Sequence, residues 1–219
     1  LAMPITTDDL CGNAEHKDGN GDQYKVSEHG ICATEGVIRM NFRYMMSQVK
    51  VELSSSQNST DEDYVDFSKG VTVEILNGNT EGAVLMKDGT VDFSIIDAKK
   101  GRYQMTDKTT GDPAAHNSFH DAIIPQSLTN GSDLLRFKIT VTKEDDSKDV
   151  YETVQGIKEI EVYEWDYTSN KYTTTPTSID AWEAGKFYTY KLKIQKTGIK
   201  ITATMADWIP VLAITEIWL

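Results

Sequence analysis

Leu134-Leu135-Arg136-Phe137-Lys138-Ile139-Thr140-Val141 alternates apolar and polar side chains almost residue by residue. In an extended chain successive side chains point to opposite faces, so Leu135, Phe137, Ile139 and Val141 line one face and Arg136, Lys138 and Thr140 the other. A strand with one dry and one wet face belongs to an antiparallel sheet packed against a second sheet. The pattern recurs. Val71, Val73 and Ile75 alternate with Thr72 and Glu74, and Tyr188, Tyr190, Leu192 and Ile194 with Thr189, Lys191 and Lys193. Beyond Lys196-Thr197-Gly198 come Ile199, Ile201 and Ala203, which predicts a hairpin with a short glycine-containing turn. Further strands are expected over 37–42, 49–53, 91–95 and 157–163. Single helical turns are expected over 44–48 and 178–183, the second capped by Ser178. Asn20-Gly21, Asn77-Gly78, Asp88-Gly89, Asn130-Gly131 and the threonine-rich stretch around Pro176 read as turns. The expected fold class is all-β: antiparallel Greek-key β-sandwich, with few short helical turns.

The length of 219 residues allows one large domain or two small ones, and 39% hydrophobic residues suffice for a packed core. No apolar run approaches the ~20 residues of a helical membrane span. With 34 acidic against 22 basic residues the formal charge is −12. No Lys/Arg cluster offers a phosphate-binding patch, so nucleic acid is not an expected partner. The first residues, Leu1-Ala2-Met3-Pro4, carry neither a basic start nor an apolar signal core, as expected of a mature, trimmed or cytosolic chain. Cys11 and Cys32 are a candidate disulfide worth about 3 kcal/mol; two reduced thiols are the other reading.

Chemistry-bearing patterns are sparse. Asp18, Asn20 and Asp22 have calcium-loop spacing, but Gln23 and His29 stand where an EF-hand needs Gly and Glu, so a solvated turn is expected. His116 and His120 are four apart with only Asp121 near as a third zinc ligand, and the flanking Pro113 and Pro125 favour a loop. Asp61-Glu62-Asp63 and Glu144-Asp145-Asp146 read as charged hairpin tips. No nucleophile elbow or phosphate-cradling loop occurs, and no motif calls for a cofactor or a metal; no catalytic residue is assigned. Trp165 and Tyr167 are the candidate aromatics for a sugar- or protein-binding face.

The end of the chain is different. Val211-Leu212-Ala213-Ile214-Thr215-Glu216-Ile217-Trp218-Leu219 is apolar on both faces, apart from Thr215 and Glu216. Such a strand needs burial. Either it completes this chain's own sheet, or it is a donor strand for a neighbouring subunit, with Val211, Ala213, Ile214, Ile217, Trp218 and Leu219 as the assembly candidates.

At several blocks the sequence resembles the fimbrillin-like (type V pilin) family of Bacteroides-type bacteria. The segment 38–51 resembles its strand–turn–strand block, with Arg43 where the family often has His. Ala122-Ile123-Ile124-Pro125-Gln126-Ser127-Leu128 is similar to its apolar-apolar-Pro-Gln stretch, and Trp182-Glu183-Ala184-Gly185-Lys186-Phe187-Tyr188-Thr189-Tyr190 to its Trp-x-x-Gly-Lys-x-Tyr-x-Tyr block. Residues 199–208 match its strand ending in Asp-Trp. The resemblance implies transthyretin-like β-sandwich domains in tandem. Residues 1–60 would be a remnant or part of an N-terminal domain, and 61–219 the C-terminal domain. It also implies export as a lipoprotein precursor, location at the outer-membrane surface in a fimbrium, no enzymatic activity, and strand exchange with other pilin subunits in a homo- or hetero-polymer. A host or bacterial surface ligand is the further partner it suggests. The alternative reading is a surface glycan- or protein-binding sandwich that does not polymerise.

Overall fold

The computed structural model describes residues 44–87, 90–112, 115–130, 133–153 and 156–207, with the antiparallel two-residue strands His16–Lys17 and Gln23–Tyr24. The chain divides into two compact units: Met46–Ala83 with Ile95–Trp208, and Leu1–Met45 with Val84–Ser94 and Ile209–Leu219. The expected strand over 37–42 lies outside the described residues.

The strands are β1 (Ser47–Ser54), β2 (Val71–Lys87), β3 (Thr90–Gln104), β4 (Ser118–Ile123), β5 (Arg136–Thr142), β6 (Lys148–Glu152), β7 (Val162–Asp166), β8 (Lys171–Tyr172), β9 (Lys186–Gln195) and β10 (Gly198–Asp207). One sheet has the order β6-β5-β2-β3 and the other β8-β7-β10-β9-β1-β4. The alternating residues do what their spacing dictates. Leu135, Phe137, Ile139 and Val141 are buried, as are Val71, Val73 and Ile75 from the same sheet and Val49, Val51, Tyr188, Tyr190, Leu192 and Ile194 from the other. The two sets meet in one core, where the Phe137 ring stands edge-on to Tyr190 with centroids 5.0 Å apart. The hairpin at Lys196-Thr197 closes on the pair Gln195↔Gly198.

Three sequence expectations need correction. Two pairings are parallel, β1 with β9 and β7 with β10, so the second sheet is mixed rather than antiparallel. Alternation reports which face is dry, not which way a neighbour runs. The larger unit begins at Met46, and its first strand β1 is hydrogen-bonded on both sides, to β9 and β4. Asn77-Gly78 is not a hairpin turn but lies inside β2, with Asn77 at φ 62°. Neither helical turn forms: 47–48 open β1, and Ala181–Trp182 pair antiparallel with Gln126–Ser127.

Burial pushes the Tyr188 phenol up to about 12 and raises that of Tyr190 too. The folded state therefore favours neutral phenols, while in the unfolded chain tyrosine ionises near pH 10. Their contribution to stability is whole below about pH 10 and is lost as pH rises through the raised values, by up to about 1.4 kcal/mol per pH unit per tyrosine. The urea midpoint is expected to fall steeply between pH 10 and 12. Tyr190→Phe should lower the midpoint at pH 8 but flatten the alkaline slope. A slope unchanged by that substitution would place the titrating groups elsewhere.

Candidate assembly surface

Strand β10 is paired with β9 along its whole length, from Lys186↔Asp207 to Gln195↔Gly198. On its other side β7 covers only Ala203, Thr204 and Met205. Among the described residues no strand pairs with that side of Gly198–Thr202. The cause lies just ahead of β7. Residues 157–163, expected as one strand, begin instead as a 3-10 turn over Ile157–Glu159, and the strand starts only at Val162. Ile157 and Ile160 are both buried, and their three-residue spacing suits a turn rather than a strand. The Ile157 N–H donates to the Leu135 carbonyl at 2.7 Å, and the Gly156 N–H to Glu159 Oε2 at 3.0 Å, which holds the turn away from β10.

The gap is a groove of about 750 Å³ between the half-edge of β10 and the end of β6. Ile160, Tyr163, Ile199 and Ile201 give it an apolar lining, while Glu152, Glu159 and Glu161 make it acidic. Unpaired strand groups beside apolar side chains are what an incoming strand satisfies, through main-chain bonds and alternate side chains together. At about 3.3 Å per residue, the span from Gly198 to Thr202 takes a five-residue strand of roughly 16 Å.

The other sequence candidates are scattered. His116 Nδ1 lies 2.6 Å from Asp107 Oδ2 in a loop, while His120 sits in β4 opposite Lys50. Burial alone would raise the Asp107 carboxyl, but hydrogen bonds with Thr109 and His116 hold it below its ordinary value. Asp121 Oδ2 accepts the Thr106 N–H at 2.6 Å. Among the described residues no group of three or more His, Cys, Asp or Glu is placed to hold a metal. Glu144-Asp145-Asp146 form the tip of the β5–β6 hairpin, whereas Asp61-Glu62-Asp63 lie in the β1–β2 loop. Trp165 packs edge-on against Tyr172 at 5.0 Å, and Tyr167 and Tyr172 are exposed. Cys11, Cys32, Asp18, Asn20, Asp22 and the whole segment 211–219, with Val211, Ala213, Ile214, Ile217, Trp218 and Leu219, lie outside the described residues. The groove itself was not legible in the sequence. Only the three-residue spacing of Ile157 and Ile160 hinted that β7 starts late.

The sequence profile of the fimbrillin-like family matches residues 22–208. The chain belongs to that family. Among curated proteins none matches it. A solved candidate cell adhesion protein from Bacteroides uniformis shares 16% identity at a TM-score of 0.51, covering 78% of this chain and 53% of that one. The tip fimbrial protein Mfa3 of Porphyromonas gingivalis gives 12% identity and a TM-score of 0.41, over 76% of this chain and 52% of that one. For the fimbrillin FimA of the same species the values are 9% and 0.44, over 77% and 59%. At such identities the first of these shows a shared fold alone. The fimbrillin-like chain spans between 52% and 59% of the length of these three structures.

In this fimbrillin-like chain the blocks that carry the resemblance form polar locks. Trp182 is fully buried and its Nε1 donates to the Tyr190 hydroxyl at 2.9 Å. The Tyr188 hydroxyl accepts the Glu183 N–H at 3.0 Å, and Gly185 turns the chain at φ 76°, where a Cβ would be strained. Lys186 reaches Asp207 across the β9–β10 ladder at 2.5 Å. Gln126, also buried, accepts the Asn79 N–H at 2.6 Å and donates to the Ile124 carbonyl at 3.1 Å, which ties the irregular middle of β2 to the loop after β4.

Proposed function

We propose that this fimbrillin-like protein is a surface fimbrial subunit that joins other pilin subunits by strand exchange. The observation that carries the reading is the unpaired half of β10 above its groove, a place for one more strand. The donor is the terminal segment, through Val211, Ala213, Ile214, Ile217, Trp218 and Leu219. Its nine residues, 211–219, exceed the length the half-edge requires. In this reading the residues before Met46 belong to an N-terminal sandwich domain, and the protein is exported as a lipoprotein precursor and does no catalysis. The net charge of −12 keeps the outer face soluble and disfavours random association.

Size-exclusion chromatography with light scattering on the full chain and on one lacking residues 211–219 tests this. Concentration-dependent polymers are expected, and their disappearance on truncation while the far-ultraviolet spectrum stays native. Monomers in both cases, with a less stable truncated form, would mean that the segment completes its own sheet. The exposed Tyr167 and Tyr172 beside Trp165 favour one other reading, a glycan- or protein-binding face. Saturable binding in a glycan titration, lost in Tyr172→Ala, would support it; a shaft subunit should show none.

A further inference from the structure

We propose that β6 is a second docking edge, which pairs antiparallel with β6 of another copy of this chain, centred on Val150. Strand β6 ends its sheet, and among the described residues only β5 pairs with it. The ladder to β5 fixes where its free groups point. Thr153 N donates to the Phe137 carbonyl, and Lys143 N to the Ser147 carbonyl. Hydrogen-bonded pairs alternate with non-bonded ones in an antiparallel ladder, so Tyr151↔Ile139 and Asp149↔Val141 are the bonded pairs between these ends. The N–H and C=O groups of Lys148, Val150 and Glu152 therefore face the open edge. The side chains of the same three residues are exposed, and Val150, at 57% exposure, is the most exposed large apolar residue of those described.

The order Lys148-Asp149-Val150-Tyr151-Glu152 is self-complementary. About a two-fold axis at Val150, Val150 meets Val150 and each Lys148 meets a Glu152, and all three positions are those with outward-facing backbone groups. A parallel pairing would set lysine beside lysine, and an antiparallel shift by two residues would set Lys148 against Val150. Opposite charges directly across a ladder stabilise a pair and like charges disfavour it, so the sequence favours one register. Glu152 reaches Arg136 only at 3.4 Å, in an exposed pair that leaves the carboxylate available. Such a contact is isologous and closes on itself. It therefore joins subunits side by side, whereas strand exchange adds them end to end, and many weak contacts along two fibres would reinforce one another.

The test uses the full chain carrying Val150→Cys treated with a short bismaleimide cross-linker, read on denaturing gels with peptide mapping. Denaturation dissolves polymers held by strand exchange, so only a covalent dimer through position 150 is counted. Opposed residues of a bonded pair lie about 5.5 Å apart at Cα, too far at Cβ for an unstrained disulfide but within reach of a short bismaleimide. A dimer linked at position 150 is expected. Adding Lys148→Glu, or separately Glu152→Lys, should slow its formation at least about fivefold, because each sets like charges opposite each other. Combining the two reversals should restore the rate to within about twofold. No dimer at position 150, or a dimer indifferent to the single reversals, would overturn the proposal.

Discussion

Trp182→Ala should lower the unfolding free energy by about 3–5 kcal/mol, the range for removing a buried aromatic side chain. Trp182 has no solvent exposure. Its ring stands 6.4 Å from that of Tyr190, which in turn packs against Phe137 of the facing sheet. Truncation removes the apolar area, leaves a cavity between the sheets and strips the Tyr190 hydroxyl of its donor at 2.9 Å. The backbone at Trp182 is also paired with Gln126, so the cavity cannot collapse without disturbing that clasp. Urea titration measures the loss as a shifted midpoint. Trp182→Phe keeps much of the volume but not the donor, and should cost about 1–3 kcal/mol for the hydroxyl left unpaired. A loss below about 1 kcal/mol for the alanine variant would mean that Trp182 is not the keystone described here.

Gly156→Ala is expected to destabilise the fold as well, less than the loss of Trp182 and for the opposite reason. A Cβ built on Gly156 would lie 2.6 Å from Leu134 Cβ, 2.7 Å from its Cδ1 and 3.0 Å from its Cγ. The closest of these is fixed to the backbone, so no rotamer of Leu134 relieves the clash and the chain itself must shift. Overpacking of this kind costs about 1–3 kcal/mol. The segment displaced is the one that donates from Ile157 to Leu135 and turns the chain away from β10. Pairing the substitution with Leu134→Gly removes the opposing Cβ. The double variant should then be more stable than the sum of the single losses predicts, a coupling that a double-mutant cycle reads directly. Strict additivity would show that the two residues are not in contact.

The dry faces of the sandwich could be read from the sequence because burial follows the two-residue period of a strand. Phe137, Ile139, Tyr190 and Leu192 needed no other information. The pairing of those strands could not be read. Nothing in Val49 and Val51 says that their neighbour is Tyr188 and Tyr190, on a parallel strand far along the chain. Local turn chemistry misled at Asn77-Gly78, where tertiary contact with Gln126 holds an irregular backbone inside a long strand. It misled again at 157–163, where the apolar residues supply a turn and then a strand. The groove arises from that turn, so it was hidden for the same reason. Edge β6 was hidden differently: its five residues alternate weakly, and only its place at the end of a sheet gives Lys148, Val150 and Glu152 a meaning.

The parallel pairing of β1 with β9 also sets a timetable. Val49 and Tyr188 are partners roughly 140 residues apart, and β9 is the strand that links β1 to β10. Loops of that span must close before their contacts repay the entropy, which makes folding slow in proportion to such long-range order. During synthesis the apolar face of β1 has no β9 to join until almost all of the described chain has emerged. Until then β1 can pair only with β4, and its other edge stays open, the kind of unpaired edge through which partly folded chains join the wrong neighbour.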